Sequence, residues 1–259
     1  MLRTVRATRY VTPLREGGSV PAIVEADDDG LYVLKFHGAG QGPKALVAEI
    51  VAGEIGRAIG LLVPDIVLVE LDPVLGRAEP DQEIRELIGR SGGLNVGLDF
   101  LPGALEFSPA AGRKPNPELA ADIVWFDALV TNIDRTARNP NLLVWHERLW
   151  LIDHGAALYV QHTWRDPASH ARGRFEKVRE HVLLPAAGSV ADADGRLAPL
   201  LGRELFAEIV ASVPDAWLPP EAGRPDPDAH RRAYVDYLVR RLDAPRPYVE
   251  EAERARAVA

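Results

Sequence analysis

The stretch VTNIDRTARNPNLLVWHERLWLIDHGAAL, residues 130–158, collects the side chains of this chain best suited to chemistry. Asp134 stands five residues before Asn139, and Asp153 follows across what reads as a short hairpin. Phosphoryl transfer needs that set in that order. One carboxylate orients an attacking hydroxyl, while an amide and a second carboxylate hold the magnesium that bridges nucleotide phosphates. The chain has five asparagines, and three of them (Asn132, Asn139 and Asn141) fall in this loop. The five-residue step from Asp134 favours Asn139 over Asn141 as the metal-holding amide. A plain polar turn between a helix and two strands is the competing reading, because Asn and Asp tolerate turn geometry.

The same chemistry needs a cation on a rigid strand, held by an acid on a neighbouring helix. Lys35 lies at the end of the β-type run LYVLKF, and Glu49 lies on the helix that follows. Lysine supplies only four of the thirty basic residues, so one inside this strand is an unexpected surface charge. An edge-strand lysine that blocks aggregation is the alternative. Glu54 shares the helix, but Glu49 stands nearer its start and faces back toward the strand. A loop that covers phosphate should precede the strands. Gly17, Gly18 and Ser19 fit, since paired glycines let backbone N–H groups approach an anion closely. The stretch GAGQG at 38–42 could serve instead. Arg135 and Arg138 flank the proposed base, either to steady phosphate or an anionic substrate or as solvated loop arginines. His146, His154 and His162 recur at intervals of eight, which suits no metal-binding helix. The tryptophans and the run HRRAYVDYLVRRL read as packing elements, the latter a helix with one solvated face.

Elements that could position these groups follow from periodicity and punctuation. Residues 20–25 and 31–36 form two strands about an Asp-Gly turn. Residues 44–60 form an amphipathic helix closed by Gly60, and 64–71 a buried strand. A charged helix lies near 80–90, followed by a loose Gly/Pro-rich segment, roughly 93–115, that holds the lobe boundary. Asn116-Pro117-Glu118 starts a helix that runs to about Asn132 and buries Leu119, Ile123, Phe126 and Val130. The remainder is mostly helical. The expected fold class is α+β in two lobes, a β-rich lobe over residues 1–100 and a helical lobe over 101–259.

Composition sets the frame. The 259 residues are 47% hydrophobic and 26% charged, ordinary for a globular protein. A net charge of −8 argues against a surface built to neutralise nucleic-acid phosphate. No cysteine is present, which excludes disulfides and thiolate metal sites. No apolar run is long enough to span a membrane, and the N-terminus carries no apolar leader segment. A cytoplasmic protein with no direct nucleic-acid or membrane partner is expected.

The segments EIVAGEIGRAIGLLVPD (49–65), IDRTARN (133–139) and LIDHG (151–155) together resemble the HipA-like kinases. That branch of the protein-kinase-like superfamily has a catalytic loop similar to that of phosphatidylinositol kinases. The likeness covers about residues 15–160 with the motifs in the family's order. It implies an ATP- and Mg²⁺-dependent kinase acting on a hydroxyl, with a protein Ser or Thr as the expected acceptor. By the resemblance Asp134 is the catalytic aspartate, Asn139 and Asp153 hold magnesium, and Lys35 paired with Glu49 holds the phosphates. Adenine would hang from backbone groups near Asp99, Phe100 and Leu101. The chain is shorter than a full HipA toxin, which implies that part of the helical lobe or an N-terminal subdomain is missing. Thr136 stands where histidine is common in these relatives, and His154 where protein kinases place phenylalanine. Neither the family's regulatory serine loop nor a surface for an antitoxin partner or DNA is evident. Two alternatives remain: a small-molecule kinase of the aminoglycoside-phosphotransferase type, and a nucleotide-binding pseudokinase. The former usually carries His-Gly-Asp where this chain has Asn132-Ile133-Asp134.

Overall fold

The structure, a computed structural model, describes residues 2–14, 20–111 and 115–259. Strands dominate the N-terminal region and helices the rest, so the chain is α+β as its patterning suggested. Five strands close a barrel in the order β1 (Thr4–Pro13), β2 (Ala22–Ala26), β3 (Leu31–Lys35), β5 (Gly93–Asp99) and β4 (Ile66–Leu71). All neighbours are antiparallel except β1 and β4, whose parallel pairing of Thr4–Arg6 with Leu68–Glu70 closes the ring.

Burial alternates along β2 and β3, as expected of strands with one face on a core. Val5, Ala7, Val24, Tyr32, Leu34, Val67 and Val69 fill the barrel. The reading of 93–115 as loose fails for its first part, because residues 93–99 form β5, between β3 and β4. The misleading residue is Gly97. A Cβ there would meet Val69 Cγ2 at 2.6 Å, so the glycine permits close passage of strands and does not break one. β1 also escaped the patterning argument, although Val5 and Ala7 alternate with outward Arg6 and Thr4.

Between β3 and β4 runs α1 (Pro43–Ala58). It was expected to be amphipathic, but ten of its residues are buried, among them Leu46, Ile50, Ile55 and Glu49. The cause is its placement. It packs against β4 and β5 on one side and against the helical portion on the other, sharing a core with Phe126, Leu129 and Phe206. Gly60 (φ 87°) ends the helix as predicted, its N–H reaching Arg57 O while Leu61 N–H reaches Gly56 O. Those two bonds make a Schellman closure.

The short helix α2 (Gln82–Gly89) precedes β5. The helical portion is built on α3 (Pro117–Val130), which Asn116 caps through the Glu118 N–H. Around α3 pack α5 (Val190–Leu197), α7 (Pro227–Leu242) and α8 (Pro247–Arg256), while α6 (Arg203–Ala211) packs on α1 and α7 and the short α4 (Pro167–Ala171) on α7. A small sheet of β6 (Leu105–Glu106), β7 (Leu142–Trp145) and β8 (Arg148–Leu151) follows α3 in space.

The run HRRAYVDYLVRRL was expected to form a packed helix with one solvated face, and within it Arg241 is buried. Its guanidinium donates to Ala128 O and Leu129 O at the end of α3 and to Ala171 O and Gly173 O, and lies 4.4 Å over the Tyr248 ring. The last turn of a helix leaves carbonyls without partners, and a cation there satisfies them and favours the dipole. Arg241→Met should therefore destabilise the protein by roughly 2–4 kcal/mol, since several buried carbonyls lose their donor at once. Urea denaturation of the variant checks this, and a loss below about 1 kcal/mol would mean that solvent or a rearranged side chain replaces the arginine.

Candidate active site

Lys35, Glu49 and Asp153 meet. Lys35 Nζ lies 2.5 Å from Glu49 Oε2 and 2.7 Å from Asp153 Oδ1, so one ammonium bridges a strand, a helix and the segment leaving β8. Glu49 is fully buried, and the two carboxylates flank the cation from elements more than a hundred residues apart. Burial by itself would discharge these groups. Their mutual attraction wins: burial pushes the Lys35 ammonium down, but Asp153 and Glu49 raise it above the ordinary lysine value. Burial likewise pushes Glu49 up, and Lys35 with His154 brings it down to about 2.

His154 completes the support of Glu49. Its backbone N–H donates to Glu49 Oε2 at 2.9 Å, and its ring Nδ1 lies 3.3 Å from Oε1. The buried imidazole also meets Phe126 edge-on at 5.9 Å. Asp153 takes a left-handed backbone conformation (φ 56°), which aspartate tolerates better than most residues. That turn lets the carboxylate of residue 153 and the N–H of residue 154 serve Lys35 and Glu49 from one short segment. The Asp153 side chain remains 42% exposed, while Glu49 is sealed.

Asp134 and Asn139 also meet. Asn139 Nδ2 donates to Asp134 Oδ2 at 2.7 Å, and Asn141 Nδ2 approaches the same oxygen at 3.4 Å. Asp134 Oδ1 has no hydrogen-bond partner among the described residues. The loop is folded on itself: Thr136 N–H reaches both Asp134 O and Asn139 O, and Asn139 N–H returns to Thr136 O. β7 and β8 then carry the chain from Asn141 to Asp153, with Leu142 paired to Leu151 and Ile152 N–H donating to Asn141 O. His146 (φ 46°) and Glu147 (φ 62°) form the two-residue turn, both left-handed, matching the twist of the hairpin.

Arg135 is neither a solvated arginine nor a phosphate ligand. It is buried, donates from Nε to Asp127 Oδ2 at 2.5 Å, and binds the carbonyls of Asn141 and Ile152. Asp127 on α3 also accepts from Asn132 Nδ2 at 2.9 Å and lies 2.9 Å from His181 Nε2. Burial pushes the Asp127 carboxyl up, but Arg135 and His181 hold it far below the usual range. This anchor was missed in the sequence. Its signal was available: a lone acid in the apolar run VWFDALV implies a buried partner. Arg138 does remain exposed on the loop.

Other expected residues fall differently. Asp99 N–H donates to Asp65 O and Phe100 N–H to Leu31 O, so both are engaged within the barrel edge. Leu101 N–H has no backbone partner among the described residues. Gly17, Gly18 and Ser19 lie outside the described residues. The alternative glycine stretch connects β3 to α1, with Gly42 (φ 69°) ahead of Pro43. His146, His154 and His162 form no metal cluster, and among the described residues no group of three acidic or histidine side chains does.

A magnesium ion fits the donors that remain. It takes hard oxygens, keeps several waters and uses one or two protein ligands plus substrate phosphates. The Asn139 amide turns its NH₂ to Asp134, so its oxygen and the partly exposed Asp153 carboxylate would be the donors to such an ion.

The family model described as HipA-like kinase matches residues 8–246. The chain belongs to the HipA-like kinase family. A Helicobacter pylori proinflammatory kinase, CtkA, has a similar structure, with a TM-score of 0.56 and 14% identity over 98% of this chain and 99% of that one. At that identity the likeness speaks for the fold, which is kinase-like over nearly the full length of both chains. No curated protein sequence matches. As a member of this kinase family, the HipA-like chain is a phosphotransferase.

The low-lying Glu49 gives a pH test. Its folded value lies below its ordinary value of 4.5, so its stabilising effect is complete above that pH and is lost as pH falls toward 2. Lys35 is shifted upward and stays charged throughout that window. Glu49→Gln should cost about 3–5 kcal/mol at pH 7, because it leaves a buried ammonium short of a partner. The gap between variant and wild type in urea midpoints should narrow steadily below pH 4.5. A gap constant down to pH 3 would contradict the assignment.

Proposed function

We propose that this kinase transfers the γ-phosphoryl group of ATP, with magnesium, to an alcohol hydroxyl, and that the acceptor is a serine or threonine of a protein. The observation that carries the reading is the single ammonium of Lys35 held between Glu49 and Asp153. Phosphate oxygens can enter beside such a cation without displacing its buried partner. Magnesium, held by Asn139 and Asp153, would supply positive charge that offsets the negative charge developing during transfer.

The residues divide the work. Asp134 Oδ1, which has no partner among the described residues, accepts the proton of the incoming hydroxyl and orients its oxygen. Asn139 holds Asp134 in place through Oδ2 and offers its amide oxygen to the metal. Asp153 offers its second oxygen to the same ion and anchors Lys35 with the first. Leu101 N–H, with neighbouring backbone of Asp99 and Phe100, takes the adenine edge. The hydroxyl oxygen bonds to the γ-phosphorus, the bond from that phosphorus to the bridging oxygen breaks, and ADP leaves with the electron pair. The helix-rich portion after residue 100 carries the acceptor side, and the barrel with α1 carries the nucleotide side. No described helix is long and apolar enough to cross a membrane, and we place the reaction in the cytoplasm.

Labelled ATP with magnesium tests this, using wild type, Asp134→Ala and Asp153→Ala, in the presence of candidate protein acceptors and alone. Asp134→Ala should keep nucleotide binding and lose roughly a hundredfold to ten-thousandfold in turnover. Asp153→Ala should weaken magnesium-dependent binding as well. Binding with no transfer or hydrolysis in wild type would leave a pseudokinase, and no binding at all would end the proposal.

A further inference from the structure

The start of α1 is built against its own electrostatics. The positive end of a helix dipole favours an acid or a capping side chain. Here the cap is Gly42, no side chain caps the helix, and no acid lies in the first turn. The residue in that turn is Lys44, a cation where the dipole is already positive.

The missing negative charge arrives from far along the chain. Glu221 Oε1 lies 2.9 Å from Lys44 Nζ. Glu221 belongs to a tight turn in which its N–H donates to Arg224 O and Arg224 N–H donates to Glu221 O. Arg224 also holds the Glu221 carboxylate at 2.9 Å and lies 4.8 Å over the Trp164 ring. Lys44 makes a second bond, from Nζ to Gln161 O at 3.0 Å. Gln161 is fixed in turn, its side-chain oxygen accepting from Tyr234 on α7 at 2.8 Å. Trp164 meets the same tyrosine edge-on at 5.0 Å.

Gln161 lies eight residues after Asp153, and Lys44 lies five before Glu49. The same junction brings Gly155 against Ala45, where an added Cβ would stand 3.6 Å from the alanine Cβ. Lys44 therefore ties the first turn of α1 to the segment that follows Asp153, and Glu221 holds Lys44 in that position. We propose that Lys44 and Glu221 are positioning residues, which fix α1 against the segment after Asp153 so that Glu49 and Asp153 meet Lys35 together. Neither residue touches the reacting groups. The proposal rests on the kinase reading of the Lys35 site.

A double-mutant cycle with two readouts tests it, using the full chain. Turnover with ATP and magnesium is one readout, and amide hydrogen exchange across α1 is the other, with α5 as an internal reference. Glu221→Gln and Lys44→Met should each lower kcat roughly three- to tenfold, with a smaller change in KM for ATP, and should speed exchange over residues 45–52. The double variant should be no worse than either single one, and Lys44→Arg should stay near wild type. Independent effects that multiply in the double variant would overturn the proposal, as would normal turnover and normal α1 exchange in both single variants. If wild type transfers no phosphate, the kinase reading fails by itself. The exchange cycle still decides the tether, because coupled loosening of α1 supports it and unchanged α1 exchange refutes it.

Discussion

A lysine ammonium taken out of water needs compensation, and Lys35 has it from two carboxylates on two different elements. Coulomb attraction in a poorly solvated site is strong, but the desolvation of three charges opposes it, so the arrangement holds only with complete hydrogen bonding. Glu49 meets that condition with Lys35 and two groups of His154. Asp153 does not, and keeps an exposed side. The difference separates them: Glu49 is a sealed counter-charge, while Asp153 keeps the capacity that the proposed metal role would use. The interaction also dictates architecture. It requires β3, α1 and the exit of β8 to converge, and α1 meets the demand by lying within the core it shares with the helical portion.

A second buried network performs the same task for the loop that carries Asp134. Asp127, Arg135, His181 and Asn132 satisfy one another, and Arg135 reaches on to the carbonyls of Asn141 and Ile152. The side chains proposed for chemistry stand at the surface of this network, and the side chains that fix them lie beneath. Such support keeps donors and acceptors in place before a substrate arrives, which is where electrostatic catalysis gains most. Arg241 extends the support to the end of α3, from which the loop departs.

The sequence revealed those parts of the site whose logic is local or ordered along the chain. The Asn116 cap, the Gly60 stop, the hairpin between Asn141 and Asp153, and the Lys35–Glu49 and Asp134–Asn139 pairs were all legible from residue type and spacing. What escaped depends on distant partners. Arg135 read as a loop cation because Asp127 is its partner in space and His181, 54 residues away from Asp127, completes the set. The buried role of Arg241 had no local sign because its acceptors lie up to 113 residues upstream. The segment around Gly97 read as loose because nothing local shows that Val69 packs against that glycine. The closure of the barrel by β1 and β4 has no local mark either, since parallel pairing joins segments some sixty residues apart.

These constraints differ in where they leave freedom. Asp134 and Asp153 are joined by one hairpin with an ordered two-residue turn and by Arg135, which grips backbone at both ends of it. Their relative placement is therefore set first by the hairpin and its Arg135 anchor. Lys35 comes from the barrel, and Glu49 comes from a helix that meets both parts. The joint between these sets has no continuous sheet across it, and it is held by the Lys35 bridge at one level and by Lys44 with Glu221 and Gln161 at another. Each tie is a charge pair with a partner on the opposite side. Both ties fall on α1, one at Lys44 in its first turn and one at Glu49, so the placement of this helix couples the barrel to the segment that follows β8.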